Sequence, residues 1–459
     1  MVAAIKKLYR GPAGIGELVK VALPVFLSQA IDTVMIFTDR YFLAELGRAH
    51  LGATMAAGLA IFLVAMFLLG TLGQVTAFVA QYLGSRQKEK CSKVVEQGLL
   101  ISVAVSLPIM LLAYFIAEDA FSLAGHKGEL LQRELEYFNI LILTVFTLSI
   151  RATLVGFFTG LGHTGIVLLA NFMGVVLNIP LSYAMIFGQW GMPAMGIEGA
   201  AWATVISGLL PMTIFFVIYY AKRYHDEFNT RRLPRFDKEM FKRVLRFGVP
   251  SGIEITMNMS AFTIFMLVVQ SLNDNVAAAV TIVLNWDIVS ALPMFGLGQG
   301  AMSLVGRYKG AKKMQLAKRV GRSAIIVALV YSTFITVLYL STTSTLTGMF
   351  SSIDPGVDYS AVYPLADTML RLSCFYIVFD AFFIVFSSFI RGAGDTRWAM
   401  ITSNSIEWSF TIITVYLIKA GYLDAITSWG ALIALVFALA VAFFGRYLSG
   451  KWQQVQMIE

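Results

Sequence analysis

Charge is scarce in this chain. Asp, Glu, Lys and Arg make up 14% of its 459 residues, where soluble globular proteins carry about a quarter. With 58% hydrophobic residues and a mean hydropathy of +0.74, a soluble globular protein is excluded and the surface requires lipid as its solvent. Cysteine is scarcer still: Cys91 and Cys374 are the only two, which excludes a disulfide framework and a cysteine metal site. Of the four histidines, His163 falls in a turn, His50 and His126 near the outer surface and His225 in the central loop, positions that read as solvent-exposed and not as ligands. The phosphate-loop pattern GxxxxGK, the zinc pattern HExxH and the nucleophile elbow GxSxG are all missing. The chain therefore reads as no enzyme, with no cofactor, and any transport it performs must draw on an ion gradient. Lys6, Lys7 and Arg10 precede Gly11 and Pro12 without the small-residue cleavage site of a signal peptide, so the first helix is expected to stay.

What is present in abundance is long apolar runs, such as 51–70, 99–116 and 324–341, each near the roughly 20 residues that cross a hydrocarbon core. The pattern predicts twelve helices, at 18–44, 52–80, 96–117, 136–158, 166–188, 199–221, 246–271, 276–305, 321–343, 366–390, 398–418 and 430–449. Bases concentrate at alternate connections: Arg86, Lys88, Lys90 and Lys93; the stretch from Lys222 through Arg231, Arg232, Arg235, Lys242 and Arg243; and Arg307 through Arg322. The other connections carry Glu118, Asp119, Glu129, Glu134 and Glu136, then Asn273, Asp274 and Asn275, then Asp354 and Asp358. Basic loops stay in the cytoplasm, so both termini are expected there. The net charge of +8 reflects this orientation rather than a nucleic-acid surface.

An internal repeat divides the chain. FFTGLGHT at 157–164 matches FIRGAGDT at 389–396, and Leu72, Gly73, Gln74, Tyr82 and Gly84 match Leu297, Gly298, Gln299, Tyr308 and Gly310 with one inserted residue. Pro24 and Pro250 stand early in the first helix of each half. The expected architecture is all-α: six-helix lobes at 1–221 and 246–459, a cytoplasmic linker at 222–245, and a pseudo-two-fold axis along the membrane normal.

Ionisable residues inside the spans point to function, because a charge there costs at least a few kcal/mol unless a cavity or partner receives it. Asp32 and Asp39 lie two turns apart on one face of the first helix. Arg40, adjacent to Asp39, faces elsewhere. In the second half Glu254 and Asn258 share a face of the seventh helix, Asn285 and Asp287 lie in the eighth, Asp380 in the tenth and Glu407 in the eleventh. These are candidates for one polar site that takes a proton or sodium. A purely structural role, such as pairing with Arg151, competes most readily for Asp32, Asp287 and Glu407. The 35 Phe and 21 Met suit a wall that repacks around varied ligands, or simple core and lipid-facing packing.

Over nearly its whole length the chain resembles the multidrug and toxic compound extrusion (MATE) family, with NorM-like and DinF-like features. FTDRYFLAELG at 37–47 is similar to the family's first-helix motif, NIPLS at 178–182 to its fifth-helix motif, GAAWAT at 199–204 to the opening of its sixth helix, and FDA at 379–381 with IRGAGDT at 390–396 to its tenth-helix pattern. The resemblance implies that Asp39 takes up the coupling ion in the first lobe with Asn178 as partner, and that Asp380 is the acid of the second. Ser182 stands where some members have an acid, which favours a proton over sodium at Asp39. Asn258 stands where NorM-like members have a glutamate, with Glu254 one turn, about 6 Å, earlier. The implied function is a monomeric proton-coupled antiporter of the bacterial inner membrane that exports amphiphilic, often cationic, drug-like molecules. The alternatives are sodium coupling, or a lipid-linked precursor flippase of the same superfamily.

Overall fold

A computed structural model describes residues 9, 11–123, 125–231, 235–349 and 359–458. Lys6, Lys7, Arg10, Arg232, Asp354 and Asp358 lie outside the described residues, as does the side chain of His50.

All regular structure among the described residues is helical: α1 Ile15–Glu45, α2 Arg48–Gly73, α3 Val75–Gly84, α4 Lys88–Leu123, α5 Gly128–Leu141, α6 Thr144–Leu161, α7 Thr164–Phe187, α8 Gly196–Tyr219, α9 Lys222–Phe228, α10 Lys238–Gln270, α11 Asp274–Gly310, α12 Met314–Gly348, α13 Tyr359–Gly392, α14 Thr396–Lys419 and α15 Ala425–Ser449. Breaks at Gln74 and at Ile142 and Leu143 interrupt two spans, so α2 with α3 and α5 with α6 each form one crossing. Twelve helical passes result. Eleven are long and apolar enough to cross a membrane by length and composition. The twelfth, α14, has a suitable length of 24 residues but carries Arg397, Asn404, Glu407 and Lys419.

Several helices begin earlier than hydropathy predicts: α4 at Lys88, α5 at Gly128, α10 at Lys238, α12 at Met314 and α13 at Tyr359. Hydropathy marks the part of a helix that suits hydrocarbon, whereas the backbone continues its hydrogen bonding through charged turns beyond the lipid.

The chain forms two compact units. One comprises Leu27–Ile253, Gly306–Lys312 and Met457–Glu459; the other comprises Met1–Phe26, Glu254–Val305 and Lys313–Gln456. In the first unit, α7 packs along α8, and α6 packs against α3 and α4. In the second, α13 packs between α12 and α15, where Trp429 donates to Ser373 within an apolar cluster that includes Val362, Met369 and Leu432.

The sequence repeat has matching structural roles in the two units. A Cβ on Gly160 would come within 2.8 Å of the Thr76 carbonyl oxygen, and one on Gly392 within 2.6 Å of the Met302 carbonyl oxygen. Two residues later Gly162 and Gly394 adopt φ of +77° and +90°, left-handed values that end a helix cheaply only at glycine. The following amides repeat as well: His163 donates to the Phe158 carbonyl and Asp395 to that of Ile390.

Candidate functional site

Two groups of buried carboxylates occur, one in each unit. In the first unit, α1 brings Asp39 to the face of α7 and α8. Asp39 is 9% exposed. Its Oδ1 accepts a 2.7 Å hydrogen bond from the Ser182 hydroxyl, and Oδ2 lies 3.5 Å from the Thr204 hydroxyl. That second contact is at the limit of a hydrogen bond, and the same hydroxyl donates to the Ala200 carbonyl at 3.0 Å. Pro180 lies inside α7 between Asn178 and Ser182, where its missing N–H removes one bond of the helical ladder.

Asn178 is fully buried, yet its amide donates to Ser207 at 3.2 Å rather than to Asp39, and its Oδ1 has no donor. Ser207 in turn donates to the Thr204 carbonyl. Asn178 is thus separated from Asp39 by two residues, Ser207 and Thr204. Arg40 is exposed, as adjacency on a helix requires. Asp32 has a different role: its Oδ2 lies 3.6 Å from the Arg151 guanidinium, the ion pair anticipated as a structural alternative.

In the second unit, Glu254 on α10 is 1% exposed and neither carboxylate oxygen has a hydrogen-bond partner. Asn258, one turn on, also has an unpartnered buried Oδ1. Glu407 on α14 is 7% exposed and stands close enough to Glu254 and Asp380 for their charges to repel. Asp287 on α11 likewise lies within repulsive range of Asp380. Its Oδ2 accepts a hydrogen bond from Tyr376 while its Oδ1 goes without. Tyr376 and Asp380 are one helical turn apart on α13, so they share a face. Arg391 is a cation within electrostatic range of Glu254.

Glu407 is thus within electrostatic range of Glu254 and Asp380, and Asp287 of Asp380, in surroundings where unpaired charge is expensive. Asn285 does not join them: it is exposed and its amide donates to the Thr281 carbonyl of its own helix at 2.8 Å. Among the described residues, no group of three or more His, Cys, Asp or Glu side chains has metal-site geometry.

The structure adds residues that sequence reasoning passed over. Thr204 and Ser207 extend the Asp39 network, Tyr376 anchors Asp287, and Asn404 and Trp408 on α14 carry an unpartnered Oδ1 and Nε1 beside Glu407. Their spacing on helix faces was the available signal: 376 with 380, and 404 with 407 and 408. The histidines also differ from expectation. His126 lies 2.9 Å from the fully buried Glu134, and His163 2.9 Å from the Tyr224 hydroxyl. His225 accepts from the Arg231 amide at 3.3 Å.

A family model, MatE, matches residues 24–184 and 250–417. The chain belongs to this family, whose members are membrane transporters and not enzymes. It is a multi-pass membrane protein. It is 27% identical over 420 residues to "Multidrug resistance protein PmpM" of Pseudomonas aeruginosa, covering 91% of this chain and 85% of that one. It is 24% identical over 449 residues to "Probable multidrug resistance protein NorM" of Bacillus subtilis, covering 97% and 98%. Among solved structures, the outward-facing conformation of a multidrug resistance MATE family transporter matches with a TM-score of 0.87 at 20% identity, covering 97% of this chain and 98% of that one. A superfamily transporter from Pyrococcus furiosus also matches at 0.87, with 19% identity and coverage of 96% and 97%. At such identity these structures speak for the fold alone.

Proposed function

We propose that the chain is a proton-coupled multidrug antiporter of the bacterial inner membrane, with both termini in the cytoplasm, exporting amphiphilic and often cationic small molecules by alternating access of its two halves. The names of the curated relatives support the substrate class, and the alternation of basic and acidic connections supports the orientation. The observation that carries proton coupling is Asp39: a buried carboxylate that accepts from the Ser182 hydroxyl, with the Thr204 hydroxyl 3.5 Å away.

An ionised Asp39 accepts the Ser182 donor. Once protonated it becomes a donor itself and seeks an acceptor, and the unpartnered Asn178 Oδ1 at the far end of the same network is suited to that role. A proton therefore changes which hydrogen bonds are best satisfied, and this difference is what shifts a two-state equilibrium. Loss of the negative charge also weakens the hold on a cationic substrate, so proton entry and drug release are coupled without a shared atom.

The second unit favours a parallel reading in which sodium is the transported ion. Glu254, Asn258 and Asp287 offer unpartnered oxygens, the ligand type a hard cation takes. Purified protein in proteoliposomes, with pH and sodium gradients imposed separately, decides between the two. Drug movement driven by the pH gradient and lost in Asp39→Asn supports proton coupling at Asp39. Undiminished pH-driven movement in that variant overturns it, and movement driven by sodium alone transfers the coupling to the second unit.

A further inference from the structure

Helix α10 is longer than the membrane needs. Its 33 residues span about 50 Å against a hydrocarbon core of about 30 Å. The charges of its first nine residues end with Arg246, and the next ionisable residue is Glu254. Within this overhang Lys238, Lys242 and Arg246 recur every fourth residue, so they form one stripe on the helix surface. All three are exposed. The neighbouring acids are engaged elsewhere: Asp237 accepts from the Met240 amide and Glu239 pairs with Arg243 at 3.2 Å. Arg243 also reaches the Tyr82 hydroxyl, so it belongs to another face. Among the described residues, no ion pair engages the three stripe bases.

Beside the stripe an aromatic ring is held outward. The side chain of Gln97 on α4, fully buried, grips the backbone on both sides of Phe236. Its Nε2 donates to the Arg235 carbonyl at 2.8 Å, and its Oε1 accepts from the Asp237 amide at 3.2 Å. Phe236 itself is 64% exposed, with Phe241 beside it at 5.2 Å between ring centroids. A buried amide is thus spent on fixing the backbone around an apolar ring that the protein does not cover.

We propose that Phe236 and the Lys238, Lys242 and Arg246 stripe form a docking surface for anionic phospholipid at the cytoplasmic face, the ring entering the headgroup and acyl boundary while the bases meet lipid phosphates. The charge is complementary to an anionic leaflet, and an aromatic ring beside bases is the combination that sits at a membrane interface. The surface lies where the chain enters its second half, so lipid occupancy fixes the start of α10. The orientation follows the basic-loop assignment above, but binding of the lipid does not depend on the transport reaction.

Native mass spectrometry of the full-length protein, titrated with phosphatidylglycerol and with phosphatidylcholine of the same chains, tests the surface. The wild type is expected to prefer phosphatidylglycerol. K238Q/K242Q/R246Q should lose that preference by at least about fivefold, the factor attached to one base near an anionic surface. F236S should weaken the binding of both lipids, and K238R/K242R should behave as wild type. Size-exclusion profiles check folding, and R246Q alone carries the same test if the triple variant misfolds. Unchanged phosphatidylglycerol preference in the neutralised variants overturns the proposal. So does equal displacement of the lipid by inorganic pyrophosphate, which would make the stripe a site for soluble phosphate.

Discussion

The two units treat buried acid in opposite ways. In the first, Asp39 has a hydroxyl donor at 2.7 Å, Asp32 is paired with Arg151, and the buried Glu134 faces His126, each acid with its own partner. In the second, Glu407 is within electrostatic range of Glu254 and Asp380, Asp287 is within range of Asp380, and the oxygens of Glu254 have no donor at all. A satisfied acid is suited to releasing and accepting one proton, because its partners already stabilise the ionised form. A set of mutually repelling acids is suited to holding positive charge, since neighbouring carboxylates in low-dielectric surroundings cannot all remain ionised. One ancestral plan, visible in the repeated glycine turns, therefore supports two electrostatic designs.

Asp39→Asn gives the largest expected effect on this contrast: pH-driven efflux in proteoliposomes should fall to the background of empty vesicles while the protein still elutes as the wild type does. Should Asp380→Asn abolish pH-driven efflux and Asp39→Asn leave it intact, the roles of the units would be reversed. Glu254→Gln addresses the acids of the second unit. If they hold sodium, saturating NaCl raises thermal stability relative to KCl by about 2.7 kcal/mol at a hundred times the Kd, and the variant loses this increment.

Gly160→Ala and Gly392→Ala sharpen the comparison from the side of likeness. Each introduces a methyl against a backbone carbonyl, so each should destabilise by about 1–3 kcal/mol, measured as a lower melting temperature in detergent. A cost in one unit only would separate their packing. The smallest effect concerns the helices that end each set of six. Asp424 caps α15 through a reciprocal bond with Thr427, whereas Met195, which precedes α8, offers no side-chain cap. Asp424→Ala should cost about 1 kcal/mol at neutral pH. Hydrogen bonds from Thr427 hold the Asp424 carboxyl below its usual range, so its contribution is present above that range and fades as pH falls through the depressed value. Melting curves of wild type and variant should converge in acid.

Much of this was legible in the sequence. The twelve passes follow from hydropathy, and Asp39, Glu254, Asp380 and Glu407 stand out because ionisable residues inside apolar runs are rare and costly. Helix starts were less legible, since Lys88 and Lys238 look like loop residues to a scale that measures lipid preference. The partners of the acids were less legible again. Thr204 and Ser207 are hydroxyls of a kind scattered through every helix, and only the crossing of α1 with α7 and α8 selects them. Asn178 was expected beside Asp39 and instead bonds Ser207, a choice made by side-chain direction that linear spacing does not encode. Asn285 turned to its own helix for the same reason.

The polarity of α14 has a consequence for how the chain is made. A segment bearing Asn404, Glu407 and Trp408 partitions poorly from the translocation channel into lipid, where one central carboxylate costs a few kcal/mol. Its neighbours α13 and α15 are strongly apolar and pack on each other. Membrane insertion of α14 is therefore best achieved as cargo of a helical hairpin, with α15 emerging from the ribosome before α14 commits. The ionisable side chain buried in α14 thus makes this part of the chain depend on the helix that follows it for assembly.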